Sequence, residues 1–124
     1  MANLPYKFIK SFAYALRGMA QLFKSQPNAR IELICAFMAI FCAIIFKIDF
    51  YEWLAILLCI ALVLGLEGIN TAVELLADKV HPGFDTEIGK AKDVAAAAVL
   101  IASVVAFIIG FIIFVPKFIN LFTN

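Results

Sequence analysis

The sequence predicts an all-α membrane protein, with an N-terminal amphipathic surface helix followed by three transmembrane helices. Of its 124 residues, 65% are hydrophobic and 15% are charged, and the mean hydropathy is +1.05. A soluble domain of this length cannot bury so much apolar surface. The apolar residues gather in three long runs, and the segment before them has helical amphipathic spacing. We expect one domain, residues 1–124.

The N-terminal segment, about residues 5–25, is predicted to lie as a helix on the membrane surface. Its apolar stripe consists of Phe8, Phe12, Ala15, Leu16, Met19 and Phe23. Basic residues lie on the flanks and the opposite side, as in helices that meet anionic headgroups. The alternative, a helix packed on a soluble core, is disfavoured by the composition.

Three membrane spans follow, at about residues 29–47, 52–77 and 94–115. The third is uncharged over its whole length, which is enough to cross roughly 30 Å of hydrocarbon. Tyr51 and Trp53 suit an interfacial aromatic belt between the first two spans. We expect Pro116 and Lys117 to close the third span.

The distribution of basic residues predicts the orientation. Five precede the first apolar run, and the 78–93 connection contains Lys79, Lys90 and Lys92. The opposite side has only Lys47 and Lys117. By the positive-inside rule, the N-terminus and the 78–93 loop are cytoplasmic.

Polar residues interrupt the second span in the stretch EGINTAVE, residues 67–74. If this span is a helix with 100° per residue and the direction of Glu67 is taken as 0°, three more polar side chains lie within about 60° of it. They are Asn70 at about −60°, Glu74 at about −20° and Asp78 at about +20°. Glu67 lies about 10 Å deeper than Glu74. An ionised carboxylate in hydrocarbon costs on the order of 2.5–3.5 kcal/mol, so such groups indicate function by default. The alternative for Glu67 and Asn70 is that they only hold helices together through hydrogen bonds.

A second polar cluster begins the third span in GKAKDVAAAA. Lys92 and Asp93 have ordinary alternatives, a topology-setting charge and a helix-start acid. Together with the first cluster they offer carboxylates for Mg²⁺, a deeper carboxylate for proton abstraction and cations for phosphates. We find no P-loop or zinc set, and His81 looks like a loop residue. The composition excludes soluble nucleic-acid binding, and the three cysteines are interpreted as small buried hydrophobes.

These motifs resemble those of the bacterial diacylglycerol kinases, a family that also includes undecaprenol kinases. Its pattern E-x-x-N-[ST]-A-[IV]-E matches EGINTAVE, its A-K-D matches the start of the third span, and AYALRG lies in the surface helix. The resemblance covers nearly the whole chain. It implies a homotrimeric kinase of the bacterial inner (cytoplasmic) membrane that transfers the γ-phosphate of MgATP to a lipid alcohol, with active sites between subunits.

Carried to matching positions, the resemblance makes Glu67 the general base, and it assigns Glu32 and Glu67 to the lipid substrate. Glu74 would bind the metal. The nucleotide would contact residues spread over the chain: Lys7, Tyr14, Gln26, Asn70, Glu74, Lys92 and Asp93. Gln26 departs from the family, which has glutamate there as a second metal ligand. Lys7 replaces an arginine and loses its fork geometry, and the loop HPGFDTEIG matches poorly.

Diacylglycerol is the leading expected acceptor, because Glu32 leans towards that branch of the family. Undecaprenol is the alternative, because YEW at 51–53 and IIFVPKF at 112–118 resemble the other branch. Two further classes stay open from the residues: a non-catalytic helix-bundle protein, and a proton or ion channel that would use the same buried carboxylates.

Overall fold

The computed structural model describes residues 3–123. They form four helices: α1, Leu4–Ser25; α2, Pro27–Ile45; α3, Phe50–Val80; and α4, Thr86–Thr123. Helices α2, α3 and α4 are long and apolar enough to cross a membrane. The all-helical class and the three apolar helices are therefore confirmed, whereas the surface location of α1 and the trimer stay predictions.

A single residue separates α1 from α2. Gln26 has an extended backbone, with φ −113° and ψ 107°, and its N–H donates to the carbonyl of Leu22 at 3.0 Å. Pro27 then begins α2, where its missing N–H costs nothing because the first turn of a helix has no internal acceptor. The break therefore ends α1 one residue before the first apolar helix begins.

The turn between α2 and α3 combines two capping motifs. Lys47 has φ 51°, and the N–H groups of Lys47 and Ile48 donate to the carbonyls of Ile44 and Ala43. This is a Schellman motif with lysine at the left-handed position that glycine usually occupies. Asp49 and Glu52 then form a capping box at the start of α3, with bonds of 2.9 and 3.0 Å. Both helix ends are thereby satisfied within four residues.

Helices α3 and α4 form the most extensive pairing of the bundle. Helix α4 does not end at Pro116, as the sequence analysis expected, but continues to Thr123. Lys117 contributes to this continuity, because its Nζ donates to the carbonyl of Ile113 at 3.2 Å and to Glu52 Oε1 at 2.7 Å. The ion pair ties the end of α4 to the start of α3.

The buried core lies near the turn between α2 and α3, at the end of the bundle that we call the Asp49 end. It consists of Ala43, Ile48, Ile56 and Ile113. Large apolar side chains elsewhere on α2–α4 point outward, as expected where lipid is the solvent. The opposite end, which carries the α1–α2 and α3–α4 junctions, is called the Val80 end.

Candidate active site

The buried polar residues of α3 lie towards the Val80 end. Glu67 is 3% exposed, Asn70 8% and Thr71 5%, and they are the three buried polar residues within the described range 3–123. They share a helix face with buried Val63 and, two turns further towards the Asp49 end, with Ile56. The face of α3 that packs inward at the Asp49 end thus becomes polar at the depth of Glu67.

Carboxyl groups gather around Glu67. Glu74 on the same helix and Glu32 on α2 are each close enough to interact with it electrostatically, and the Asn70 side chain lies beside its carboxyl. Glu32 Oε2 and Asn70 Oδ1 are buried and have no hydrogen-bond partner among the described residues. Because buried acceptors normally have partners, this cluster is built to receive a donor or a cation from outside these residues.

Thr71 is a member of this cluster that the sequence analysis did not name. Its hydroxyl donates to the backbone carbonyl of Glu67 at 2.9 Å, so it is satisfied within the helix. Thr71 is four residues after Glu67, so it lies only about 40° from it around the helix. This spacing could have identified Thr71 as a member of the cluster from the sequence.

An ion pair joins α3 to α4 at the Val80 end. Lys92 Nζ donates to Asp78 Oδ1 across the two helices. The family resemblance assigned Lys92 to the nucleotide, and the helical period put Asp78 on the same face of α3 as Glu67. Nothing in the sequence indicated that Lys92 and Asp78 pair. Asp93, the next residue on α4, is exposed. The pair holds the Lys92 cation at the Val80 end, beside the carboxylate of Asp78.

Lys7 and Tyr14 lie exposed on α1. The Arg17 guanidinium lies 5.7 Å from the centre of the Tyr14 ring. Within residues 3–123, no hydrogen bond or ion pair joins Lys7 or Tyr14 to the polar stripe of α3. Gln26 is half-buried at the α1–α2 junction. The structure therefore brings Glu32 to the α3 cluster but leaves the α1 residues without a bond to it.

The loop before α4 is organised by its own residues. Asp85 Oδ1 accepts from the N–H groups of Glu87 and Ile88, both at 3.0 Å. The Ile88 N–H above all, then that of Glu87 and the nearby His81, holds the pKa of the Asp85 carboxyl below its ordinary value. His81 Nδ1 lies 3.2 Å from the carbonyl of Gly83, so its contacts are those of a loop residue.

The oxygen donors of the cluster fit Mg²⁺ in their chemistry. Within the described residues, no three acidic, histidine or cysteine side chains converge closely enough to hold a metal ion by themselves. Mg²⁺, however, commonly takes one or two carboxylates and completes its shell with substrate phosphates and water. A carboxylate at Glu74 and the amide oxygen of Asn70, one turn away on the same helix, are ligands of that kind.

An apolar groove runs between α2, α3 and α4, with a volume of about 550 Å³. We call it the interhelical groove. It extends from Glu32 near the Val80 end to Phe46 and Phe118 near the Asp49 end, and Glu32 is its one charged lining residue. The groove therefore begins at a member of the carboxyl cluster and continues as a hydrophobic channel along the helices.

The structure is thus that of a protein with three helices long and apolar enough to cross a membrane and with a buried polar site between them. The family model of prokaryotic diacylglycerol kinases matches residues 13–114, and the chain belongs to this family. Undecaprenol kinase of Bacillus subtilis is 36% identical over 116 residues, which cover 90% of both chains. Diacylglycerol kinase of Escherichia coli K12 is 28% identical over 102 residues, or 82% of this chain and 84% of the relative.

A third relative, diacylglycerol kinase of Synechocystis, is 34% identical over 112 residues, which are 90% of this chain and 64% of the relative. The family and the predicted enzyme class are confirmed: the chain is an ATP-dependent lipid kinase. The relatives named here act on two different lipids, so the acceptor is a separate question.

Proposed function

We propose that the chain transfers the γ-phosphate of MgATP to the hydroxyl of undecaprenol, giving undecaprenyl phosphate. The observation that carries this proposal is the interhelical groove, an apolar channel that starts at the unpartnered oxygen of Glu32. The similarity to an undecaprenol kinase over 90% of both chains supports it.

Diacylglycerol, which the sequence analysis put first, is the second candidate. Several relatives are diacylglycerol kinases, and Glu32 resembles that branch of the family. The product would then be phosphatidic acid. Both candidates are lipid alcohols, so they share one chemistry and differ in the number and length of the chains that the protein must accommodate.

In the proposed reaction, Glu67 is the general base. Its burial keeps bulk water away, and it takes the proton of the lipid hydroxyl as that oxygen attacks the γ-phosphorus. The new O–P bond forms while the bond from the γ-phosphorus to the bridging oxygen breaks, and ADP leaves. Before the reaction, Glu32 accepts the hydrogen bond of the entering acceptor hydroxyl, which then turns its one proton to Glu67. Asn70 orients the reacting groups.

Nucleotide binding falls to the Val80 end. Lys92 and Asp93 on α4 contact the phosphates and the reacting groups. Lys92 is paired with Asp78 in the structure, and its ammonium group donates a further hydrogen bond to a phosphate oxygen. Glu74 would hold Mg²⁺, and the neutral carbonyl oxygen of Gln26 would be a weaker second ligand. When bound, the ion neutralises charge on the phosphates.

We further propose a homotrimer in which α1 of one chain reaches the α3 stripe of another. The exposure of Lys7 and Tyr14, and the lack of bonds from them to α3 within the described chain, support this arrangement. The protein would lie in the bacterial inner membrane with its N-terminus and the 78–93 loop in the cytoplasm, where ATP is available. Family membership leaves the non-catalytic and channel alternatives without support.

The test is a kinase assay with radiolabelled ATP and purified protein in mixed micelles that contain undecaprenol or dioleoylglycerol. We expect kcat/KM for undecaprenol to exceed that for dioleoylglycerol by about tenfold or more, a difference of about 1.4 kcal/mol in transition-state stabilisation. A higher kcat/KM for dioleoylglycerol would refute undecaprenol as the preferred acceptor and make diacylglycerol the better assignment. Turnover of neither lipid would refute both.

A further inference from the structure

The interhelical groove is longer than one leaflet of a bilayer. From Glu32 to Phe46 it follows α2 for fourteen residues, or about 21 Å at the rise of an α-helix. Half of a typical hydrocarbon core is about 15 Å. A groove that begins at Glu32 therefore continues past the bilayer midplane towards the Asp49 end.

The walls of the groove change along its length. Small residues such as Ala39, Ala106 and Gly110 line its middle, together with the rings of Phe107 and Phe111. Aromatic rings close the Asp49 end: the ring centre of Phe46 lies 6.3 Å from that of Phe114 and 5.9 Å from that of Phe118. A chain could lie along the small residues and would meet these rings last.

The Val80 end of the groove is its polar end. Glu32 Oε2 is buried there and has no hydrogen-bond partner within residues 3–123, and a hydroxyl group is a donor of the right size. A matching occupant has one hydroxyl at one end and a long apolar chain behind it. The groove also connects directly with the carboxyl cluster, because Glu32 belongs to both.

We propose that the interhelical groove holds the polyprenyl tail of the acceptor as a single chain, and that Phe46, Phe114 and Phe118 form a stop that sets the length of tail recognised. This inference rests on the proposed function. The chains of a diacylglycerol anchored in one leaflet end near the midplane, about 15 Å from the interface. They leave the aromatic stop without contacts, whereas a polyprenol is long enough to reach it.

Gly110 offers a way to block the groove without disturbing the helices. It lines the middle of the groove, and a Cβ added to it meets no atom within 4 Å. Leucine is also a better helix former than glycine. The Gly110→Leu side chain therefore starts in open space at its Cβ. It then occupies room that the tail needs, about 12 Å before Phe118 along α4. Ala61→Leu is the matched control, because Ala61 is exposed on α3 and lies outside the groove lining.

The experiment measures kcat and KM of the full chain with geraniol, farnesol, geranylgeraniol, undecaprenol and dioleoylglycerol. In the wild-type protein, we expect KM to fall as the prenyl chain lengthens and then to level off once the tail reaches the aromatic stop. Gly110→Leu should raise KM for undecaprenol about tenfold and leave KM for geraniol and all kcat values within about twofold. Ala61→Leu should match the wild type.

An unchanged KM for undecaprenol in Gly110→Leu would overturn the groove assignment while leaving the kinase proposal intact. An equal effect on dioleoylglycerol would show that an acyl chain uses the groove and would overturn the polyprenyl assignment. Failure of the wild type to phosphorylate any prenol would refute the proposed acceptor itself.

A second measurement does not depend on a folded variant. Undecaprenol with a photoreactive diazirine on its terminal isoprene is irradiated with the wild-type protein, and crosslinked peptides are identified by mass spectrometry. Crosslinks to α2 and α4 within the groove support the proposal. Crosslinks confined to lipid-facing positions, as expected if a second copy of the chain fills the groove, would overturn it.

Discussion

Replacement of the buried Glu67 by glutamine tests the proposed base directly. The substitution keeps nearly the same side-chain shape in a site that is 3% exposed, and the bond from the Thr71 hydroxyl is unaffected because it goes to the backbone carbonyl. The change removes a negative charge from a position that Glu32 and Glu74 both face. The fold therefore loses no contact and is relieved of like-charge repulsion.

We expect Glu67→Gln to lower kcat by about 10²–10⁴-fold, the usual contribution of a positioned general base. This corresponds to about 2.7–5.5 kcal/mol in the activation barrier. The assay is the initial rate with radiolabelled ATP at saturating Mg²⁺ and undecaprenol. Gel filtration and the thermal unfolding midpoint in detergent should equal those of the wild type or, for the midpoint, exceed it.

Glu52→Gln is the matched control. It makes the same chemical change on the same helix, fifteen residues and therefore about 22 Å away. Glu52 binds Lys117 at 2.7 Å and caps α3 through the Asp49 N–H, so its loss should lower the free energy of unfolding by about 1.5–3 kcal/mol while kcat is kept. Retention by Glu67→Gln of more than about a tenth of wild-type kcat would refute the base assignment. So would an equal loss of kcat in both variants.

Three further predictions concern the metal site, the α2–α3 turn and the start of α4. Gln26→Glu should raise activity most at limiting Mg²⁺, because it adds a charged oxygen ligand; no change at any Mg²⁺ concentration would mean that another group serves as the ligand. Lys47→Gly should raise the free energy of unfolding by about 1 kcal/mol, since Lys47 occupies the left-handed region, and an unchanged thermal midpoint would contradict this. Asp85→Ala should speed amide exchange at Ile88, which loses its bond to the Asp85 side chain. Acid should do the same in the wild type: the lowered pKa of Asp85 means that its stabilising effect is present above the unfolded pKa and is lost as the pH falls through the folded one. Equal exchange rates in wild type and variant would refute this role.

The sequence predicted those features that depend on a single helix. The apolar runs define α2, α3 and α4, and the 100° period puts Glu67 and Asn70 on one face, which the structure buries. The polar face of α3 could be recognised in the sequence because carboxylates are rare in apolar membrane spans. The continuation of α4 past Pro116 was not predicted. Lys117, just beyond that proline, binds Glu52 at the start of α3, and a contact between residues so far apart in the sequence leaves no local pattern.

Features that depend on several helices had no signal in the sequence. The pair between Lys92 and Asp78 follows from the packing of α3 on α4. The interhelical groove has walls from three helices, and residues such as Ala106 and Gly110 look like ordinary membrane residues when taken one at a time. The Schellman turn was also hidden, because a lysine stands where glycine would have indicated it.

Glu32 connects the two halves of the proposed mechanism. The family resemblance assigned it to the lipid substrate, while Gln26, six residues earlier, left the metal without its second carboxylate. In the structure it interacts with Glu67 and lines the interhelical groove, with one oxygen unpartnered. A ligand for Mg²⁺ would have to face the phosphates at the Val80 end, near Glu74, whereas Glu32 faces the channel that we assign to the lipid. The position of Glu32 therefore favours a role in binding the acceptor hydroxyl over a role in binding the metal. In that case Glu74 is the one carboxylate that this chain offers to Mg²⁺. For this reason we expect the activity gained by Gln26→Glu to be largest when Mg²⁺ is scarce.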